Sequence, residues 1–382
     1  MSLPPAAPAP PLLDVLGARW MLDAPVVGVA WDGDLAGFGL GDGSLAMGRA
    51  EWDGAAQLSP CDGGTKLTPA AAPPPPVSRQ RVHQGACLSV AALPGGGFLS
   101  GGDDGGVMRT TKDGVITALA NHPGRWADRV AAGSAGWNAV AVGRRVHVTG
   151  RTDDTLDLPA SVTALAFNPA GTHLAMAHYR GVTVWTRDEP PLVLRTLGCP
   201  LSLAWSPDGA YLICGLQENA LHGWRLSDGG DIEMGGYPGQ PRSLSFSGDG
   251  RFLASSGSPR VVCWHFDPPI AGSQPVECGL PSSRLPVCQV AYHPSFPLIA
   301  AGYHNGAVLL CQPGSDDVLF VKGSAGGSVS ALAWSADGTR LAIGTEEGEA
   351  GLVHLPRLLF HFATSPSRQT SGAKPYQRST VQ

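Results

Sequence analysis

Val162-Thr163-Ala164-Leu165-Ala166-Phe167 is a run of β-branched, small and aromatic residues, Asn168-Pro169-Ala170-Gly171 is a turn, and His173-Leu174-Ala175-Met176-Ala177 is a second apolar run. A second turn, His178-Tyr179-Arg180-Gly181, leads into Val182-Thr183-Val184-Trp185, and Leu192-Val193-Leu194-Arg195 makes a weaker fourth run. Short runs of this kind between Gly- and Pro-bearing turns are strands, so the segment folds back on itself as a small antiparallel sheet. Its inner runs do not alternate polar with apolar residues. Both sides carry Leu, Val, Ala or an aromatic ring, which is the pattern of a strand covered on both faces.

What covers it is more of the same sequence. A branched aliphatic, a small residue and an aromatic recur as Val29-Ala30-Trp31, Leu165-Ala166-Phe167, Leu203-Ala204-Trp205, Leu244-Ser245-Phe246, Val290-Ala291-Tyr292 and Leu332-Ala333-Trp334, mostly at a spacing of about forty residues. A unit this small cannot bury its own apolar surface and is sealed only by stacking on neighbours. An open stack would leave two apolar end faces and two unpaired edges, so the array is expected to close about an axis. Sheets that converge on an axis leave room there for small side chains, which accounts for the Ala or Ser of each phrase.

The template fits eight segments, with first strands near Val26, Cys87, Asp128, Val162, Leu201, Arg242, Val287 and Val329. The sequence thus predicts an all-β, closed β-propeller of four-stranded antiparallel blades, eight in number, with seven as the alternative if the irregular third unit, Asp128 to Thr149, is displaced. The last unit shows three good strands, ending at Gly351-Leu352-Val353-His354, while Arg19-Trp20-Met21-Leu22 stands unclaimed before the first. This early strand is expected to complete the last blade.

Composition agrees with many short strands. The 382 residues include 52 Gly and 34 Pro but only 15% charged side chains, which leaves little sequence for long amphipathic helices. A net charge of −5, with no Lys/Arg run longer than two in the repeats, disfavours nucleic acid as a partner. No apolar run approaches the roughly eighteen residues needed to span a membrane, and Met1-Ser2-Leu3-Pro4-Pro5-Ala6 lacks the features of a secretory signal. A cytoplasmic protein with no membrane partner is expected. The cysteines Cys61, Cys87, Cys199, Cys214, Cys263, Cys278, Cys288 and Cys311 fall singly and read as reduced thiols, several at buried strand positions.

Three segments stand outside the period. Residues 1–18, rich in Pro and Ala, are expected to be disordered before a propeller at 19–356. Residues 357–382 are expected to be mostly disordered, with Arg368, Lys374 and Arg378 and no acid after Phe362. Within the propeller, residues 53–81 include Ala70-Ala71-Ala72-Pro73-Pro74-Pro75-Pro76 and read as an extended surface loop.

Ser206-Pro207-Asp208-Gly209, Ser247-Gly248-Asp249-Gly250 and Ser335-Ala336-Asp337-Gly338 occupy first turns, and Trp185, Trp224 and Trp264 close third strands. With the run Gly102-Asp103-Asp104-Gly105-Gly106-Val107, they resemble the WD-repeat β-propeller family over about residues 19–356. The match is divergent. Thr186, Arg225 and His265 follow the three tryptophans, so no Trp-Asp pair is intact, and the Gly-His dipeptide that often opens a repeat is missing. The family's Asp-His-Ser/Thr-Trp relay is therefore expected to be mostly absent, leaving more of the stability to apolar packing.

The resemblance implies a rigid, non-enzymatic scaffold, a monomeric propeller within a larger complex, that binds a protein or peptide through loops at the channel mouth. Those loops correspond to the second turn of each blade and the stretch before each first strand. They carry an acidic arc of Glu346, Glu347, Asp42, Asp103 and Asp104, on three blades that become adjacent when the ring closes. Arg144, Arg145 and Arg180 form a basic arc, and Arg242 and His304 complete the candidate partner-binding residues. Complementary charge of this kind acts mainly on encounter rate and orientation. Solvated turn residues are the plain alternative.

Catalytic chemistry finds no foothold in the sequence. Gly37-Phe38-Gly39-Leu40-Gly41 ends a strand and leads into the strand Leu45-Ala46-Met47, so it reads as a turn without a helix N-terminus for a phosphate. No catalytic residue, metal ligand or cofactor is assigned. The histidines, His178 and His304 in second turns among them, are not paired at ligand spacing. A ring can nevertheless gather distant side chains, so a metal or small-molecule site in the axial channel is the alternative function.

Overall fold

Turns set the strand lengths. In the Ser-x-Asp-Gly turns the Ser206 hydroxyl donates to Asp208 Oδ1 (2.5 Å), which also accepts the Ala210 amide, while Ser206 Oγ accepts the Tyr211 amide. Ser247 with Asp249 and Ser335 with Asp337 repeat the arrangement. The glycine that follows sits at φ +71° in Gly209 and +72° in Gly338, a region where any Cβ is strained.

A computed structural model describes residues 10–62, 64–266, 274–280 and 284–360. In it the strands assemble into eight four-stranded antiparallel sheets. First strands run at Val26–Asp32, Cys87–Ala92, Arg129–Ala132, Val162–Phe167, Pro200–Trp205, Leu244–Phe246, Val287–Tyr292 and Val329–Trp334. Consecutive first strands lie side by side the whole way round, and that of blade eight lies against that of blade one, so the ring is closed. The third unit is a complete sheet, Arg129–Ala132, Asn138–Val142, Arg145–Thr149 and Asp154–Asp157, which settles the count at eight and removes the seven-bladed alternative. Gly17–Met21 pairs antiparallel with Glu349–His354, placing Arg19 opposite Gly351, and so supplies the outer strand of blade eight.

The recurring phrase bonds one blade to the next. Trp31 donates its indole N–H to the Ala333 carbonyl (2.9 Å), Trp205 to Ala166 (3.0 Å) and Trp334 to Ala291 (3.1 Å), so the aromatic of one phrase reaches the small residue of the phrase before it. Hydroxyls near the start of first strands reach the opposite way. Thr163 donates to the Pro200 carbonyl (2.6 Å), Ser202 to Pro241 (3.1 Å) and Ser330 to Val26 (2.6 Å). The seam between blades eight and one is bonded in both directions.

Two expectations need correction. Residues 10–18 are not disordered: Leu12–Leu16 is a short helix whose Leu13 and Leu16 are buried in the core between blades seven and eight. Residues 1–9 lie outside the described residues. The 53–81 insertion is not wholly loop, because Gln57–Cys61 and Gly64–Thr68 form a hairpin and Ser78–Arg81 is the outer strand of blade one. Residues 73–77 of its Pro-rich part have no regular secondary structure, and Trp20 donates to the Pro75 carbonyl (2.9 Å). The relay is mostly absent, as expected, and survives in blade two, as its geometry below shows. In the C-terminal tail, Arg357–Leu359 is a 3-10 turn, and the expectation for 361–382 lies outside the described residues.

Two stability measurements follow. Trp224 is 2% exposed in the core shared by blades four and five, so Trp224→Ala should cost about 3–5 kcal/mol in denaturant unfolding. Deleting residues 1–24 removes both the helix and the closing strand and should lower the melting temperature sharply. A truncated protein that melts like the full chain contradicts closure by that strand.

Candidate partner-binding rim

Every blade runs its strands in the same order, so the second turns and the entries to first strands gather on one rim. The candidate residues there divide into side chains that hold the fold and side chains that face solvent. Glu346 and Glu347 are exposed, and neither makes a side-chain hydrogen bond or ion pair among the described residues. Asp42 is engaged instead: it accepts the Ser44 amide (3.0 Å) and pairs with Arg79 (2.5 Å). Partial burial works to raise its pKa, yet these hydrogen bonds and Arg79 hold it below the usual carboxylate range.

Asp103 and Asp104 are structural as well. Asp103 Oδ1 accepts the Ala86 amide (2.8 Å). Asp104 accepts the Gln84 (2.8 Å) and Gly106 (2.9 Å) amides and contacts His83 Nδ1 (3.2 Å), while His83 Nε2 meets the Ser100 hydroxyl (2.9 Å). His83 is fully buried, so blade two contains an Asp-His-Ser relay. Sequence reading missed it because Val82, not Gly, precedes the histidine. Blade six has a variant in which Trp264 donates to the Tyr237 hydroxyl (2.7 Å), itself bonded to Ser255 (2.5 Å).

On the basic side Arg144 and Arg180 are exposed and make no side-chain hydrogen bond or ion pair among the described residues, whereas Arg145 is bidentate on Asp157 (3.0 and 3.2 Å). Arg180 sits at φ +66°, fixed by backbone bonds to Thr196 and Gly198. The two turns joined there present Tyr179 and Leu197, 58% and 88% exposed, neither of which was singled out from sequence. Arg242 bonds Gln240 Oε1 (2.6 Å), and His304 contacts Ser328 (3.3 Å). Of the ten candidates, then, Glu346, Glu347, Arg144 and Arg180 are free to meet a partner.

Beneath the acidic turn lies a buried ion pair that sequence reading also missed. Lys322 Nζ, 1% exposed, is 3.0 Å from Glu349 and donates to the Ala325 carbonyl (2.6 Å) and the Gly306 carbonyl (3.1 Å). Arg19 of the closing strand reaches the other Glu349 oxygen at 3.0 Å.

Gly37 is a packing residue, not part of a phosphate loop, since a Cβ there would stand 2.6 Å from the Phe98 ring. Among the described residues no group of three or more His, Cys, Asp or Glu side chains is placed to hold a metal ion. No helix among them is long and apolar enough to cross a membrane.

Burial holds the His83 pKa below its ordinary 6.5, against the pull of Asp104, and burial also lowers His147, His293 and His354. A histidine with a depressed folded-state pKa binds its proton first in the unfolded chain. The stability it supports is complete above pH 6.5 and is lost as the pH falls through the folded value. Thermal melting should therefore weaken below that pH. His83→Phe should lower stability at pH 8 by about 1–3 kcal/mol, by orphaning the Ser100 hydroxyl and taking one partner from Asp104, and should blunt the acid dependence. Glu346→Lys with Glu347→Lys should change stability by no more than about 0.5 kcal/mol.

Comparison with known proteins agrees with this architecture. The family profile of the anaphase-promoting complex subunit 4 WD40 domain matches residues 290–365, which lie in blades seven and eight and just beyond. SEC12-like protein 2 of Arabidopsis thaliana is 27% identical over 169 residues, 43% of this chain and 43% of that protein, so the match spans less than half of the relative's length. The crystal structure of the computationally designed Ika8 protein matches at a TM-score of 0.66 and 16% identity, covering 88% of this chain and 98% of that one, a likeness of fold alone. Recurring phrase, closed ring and matched profile agree: the chain is a WD40-like β-propeller of eight blades.

Proposed function

We propose that the protein is a cytoplasmic, non-enzymatic scaffold, a monomeric propeller within a larger complex, that docks a protein or peptide partner on the rim of second turns. The observation that carries this reading is the pair of exposed apolar side chains Tyr179 and Leu197, at turn tips locked together by backbone bonds and flanked by the unpaired Arg180. Rigid turns that show a tyrosine and a leucine to solvent lose little entropy on binding and suit the desolvated centre of a protein interface. Glu346 and Glu347 add an opposite charge elsewhere on the same rim, which would orient an approaching partner. That the matched profile belongs to a domain named as a subunit of a complex supports the same reading.

Affinity purification from the native host followed by mass spectrometry tests it. A discrete stoichiometric partner is expected. Tyr179→Ala with Leu197→Asp should abolish its capture, and Glu346→Lys with Glu347→Lys should alter the salt dependence of binding. A partner retained by both variants, or a lone monomer that turns over a metabolite, contradicts the proposal.

A further inference from the structure

The junctions between blades differ in what fills them. On the third strands of blades four, five and six, the residues opposite Leu174, Leu212 and Leu253 are Trp185, Trp224 and Trp264. Each indole is buried against the preceding blade. Other junctions use other groups: Phe98 between blades one and two, Tyr292 and Tyr303 between six and seven, Trp20 between eight and one. Between seven and eight the register places Val353 opposite Leu341, where a Leu–Trp pair would stand, and Leu13 and Leu16 of the N-terminal helix pack there.

Between blades two and three both members of the pair are replaced. Asn138 stands opposite Thr149, and the core cluster of that junction contains no aromatic ring among the described residues. A cleft of about 910 Å³ results, walled by Asn138 and Thr149 together with Leu99, Val107, Val140 and Leu119. Leu119 on the outer strand of blade two is 49% exposed, and Trp126 nearby in the chain is 61% exposed. At the rim the cleft runs into a pocket of about 430 Å³, and His122 and His147, stacked at 4.8 Å, belong to both. Arg125 and Arg144 line that pocket, and neither makes a side-chain hydrogen bond or ion pair among the described residues. At the cleft itself Arg151 is accompanied by Asp153, and in the pocket Asp157 is occupied by Arg145, so the surplus charge is positive.

We propose that the cleft between blades two and three is a second docking site, for a short partner segment that carries two leucine-like side chains about one helical turn apart with an acidic residue beside them. The molecule already contains such an arrangement. Leu12-Leu13-Asp14-Val15-Leu16 lies against the outer strand of blade seven, Val318–Lys322, and the third strand of blade eight, Glu349–His354. The same two strand positions, Ile116–Asn121 and Arg145–Thr149, wall the open cleft. Asp14 pairs with Arg19 (2.5 Å), the part that Arg125 or Arg144 plays at the open site. The chain's own residues 361–382, with Arg368, Lys374 and Arg378 and no acid, have the wrong charge to fill it. The site does not depend on partner docking at Tyr179 and Leu197.

A displayed random dodecapeptide library, selected on the full chain and counter-selected on Thr149→Trp, tests the proposal. The added indole restores the missing filler and should leave the melting temperature no lower than that of the native protein. Enriched peptides should carry Leu, Ile or Phe at i and i+3 next to Asp or Glu. In fluorescence polarisation a synthetic copy should bind Thr149→Trp at least tenfold more weakly. A second variant, Arg125→Glu with Arg144→Glu, changes only exposed side chains and should weaken binding several-fold and flatten its salt dependence. Peptides that bind both variants like the native protein, an enriched class without the apolar and acidic pattern, or no enrichment over Thr149→Trp overturns it.

Discussion

No blade of this protein can bury its own faces, and the seal between neighbouring blades is the constraint on which the rest of the structure depends. Burying a large apolar side chain at a junction contributes about 1.5–3 kcal/mol. An inter-blade hydrogen bond such as Trp205 to Ala166 contributes about 1 kcal/mol. Packing therefore supplies most of the cohesion, and the indole and hydroxyl bonds fix the angle at which wedges meet. This is why Trp31, Trp205 and Trp334 each meet an alanine of the preceding blade: a larger residue there would force the blades apart.

The seam needs more than the repeat supplies, because the two blades that meet there are separated by the length of the chain. Three features converge on it. The strand Gly17–Met21 completes blade eight, Trp31 and Ser330 bond across the first strands, and Glu349 lies between Arg19 and the buried Lys322. Charge pairs removed from water often contribute little net stability, but removing one partner leaves the other uncompensated. The Arg19–Glu349 contact accordingly ties the register of the closing strand to a carboxylate already held by Lys322: a slipped strand would take Arg19 away from Glu349.

Much of this was legible in the sequence for a physical reason. The phrase, in six of the eight units, the Ser-x-Asp-Gly turns, in three, and the doubly covered inner strands each report on a local requirement that recurs around the ring, and so they gave the architecture, the closing strand and a count of eight with seven still open. What escaped notice was non-repeating. Leu12–Leu16 is a single helical turn after a Pro-rich stretch, and only its burial between two blades makes it a helix. Ser78–Arg81 is polar because an outer strand faces solvent, so nothing in its composition marks it. The rim divided on the same principle. Asp42, Asp103 and Asp104 sit in turns whose amides need acceptors, and those amides claim them, whereas Glu346 and Glu347 are left facing water. Sequence identifies a charge at a turn but not which partner satisfies it.

Amide hydrogen exchange on the intact chain tests the central claim most directly, by comparing the seam with an internal junction. If each blade is sealed only by its neighbours around a closed ring, first-strand amides of blades eight and one should exchange as slowly as those of blades four and five, all at the rate of global unfolding. Seam amides that exchange orders of magnitude faster, while blades four and five stay protected, would show an open stack and contradict the account.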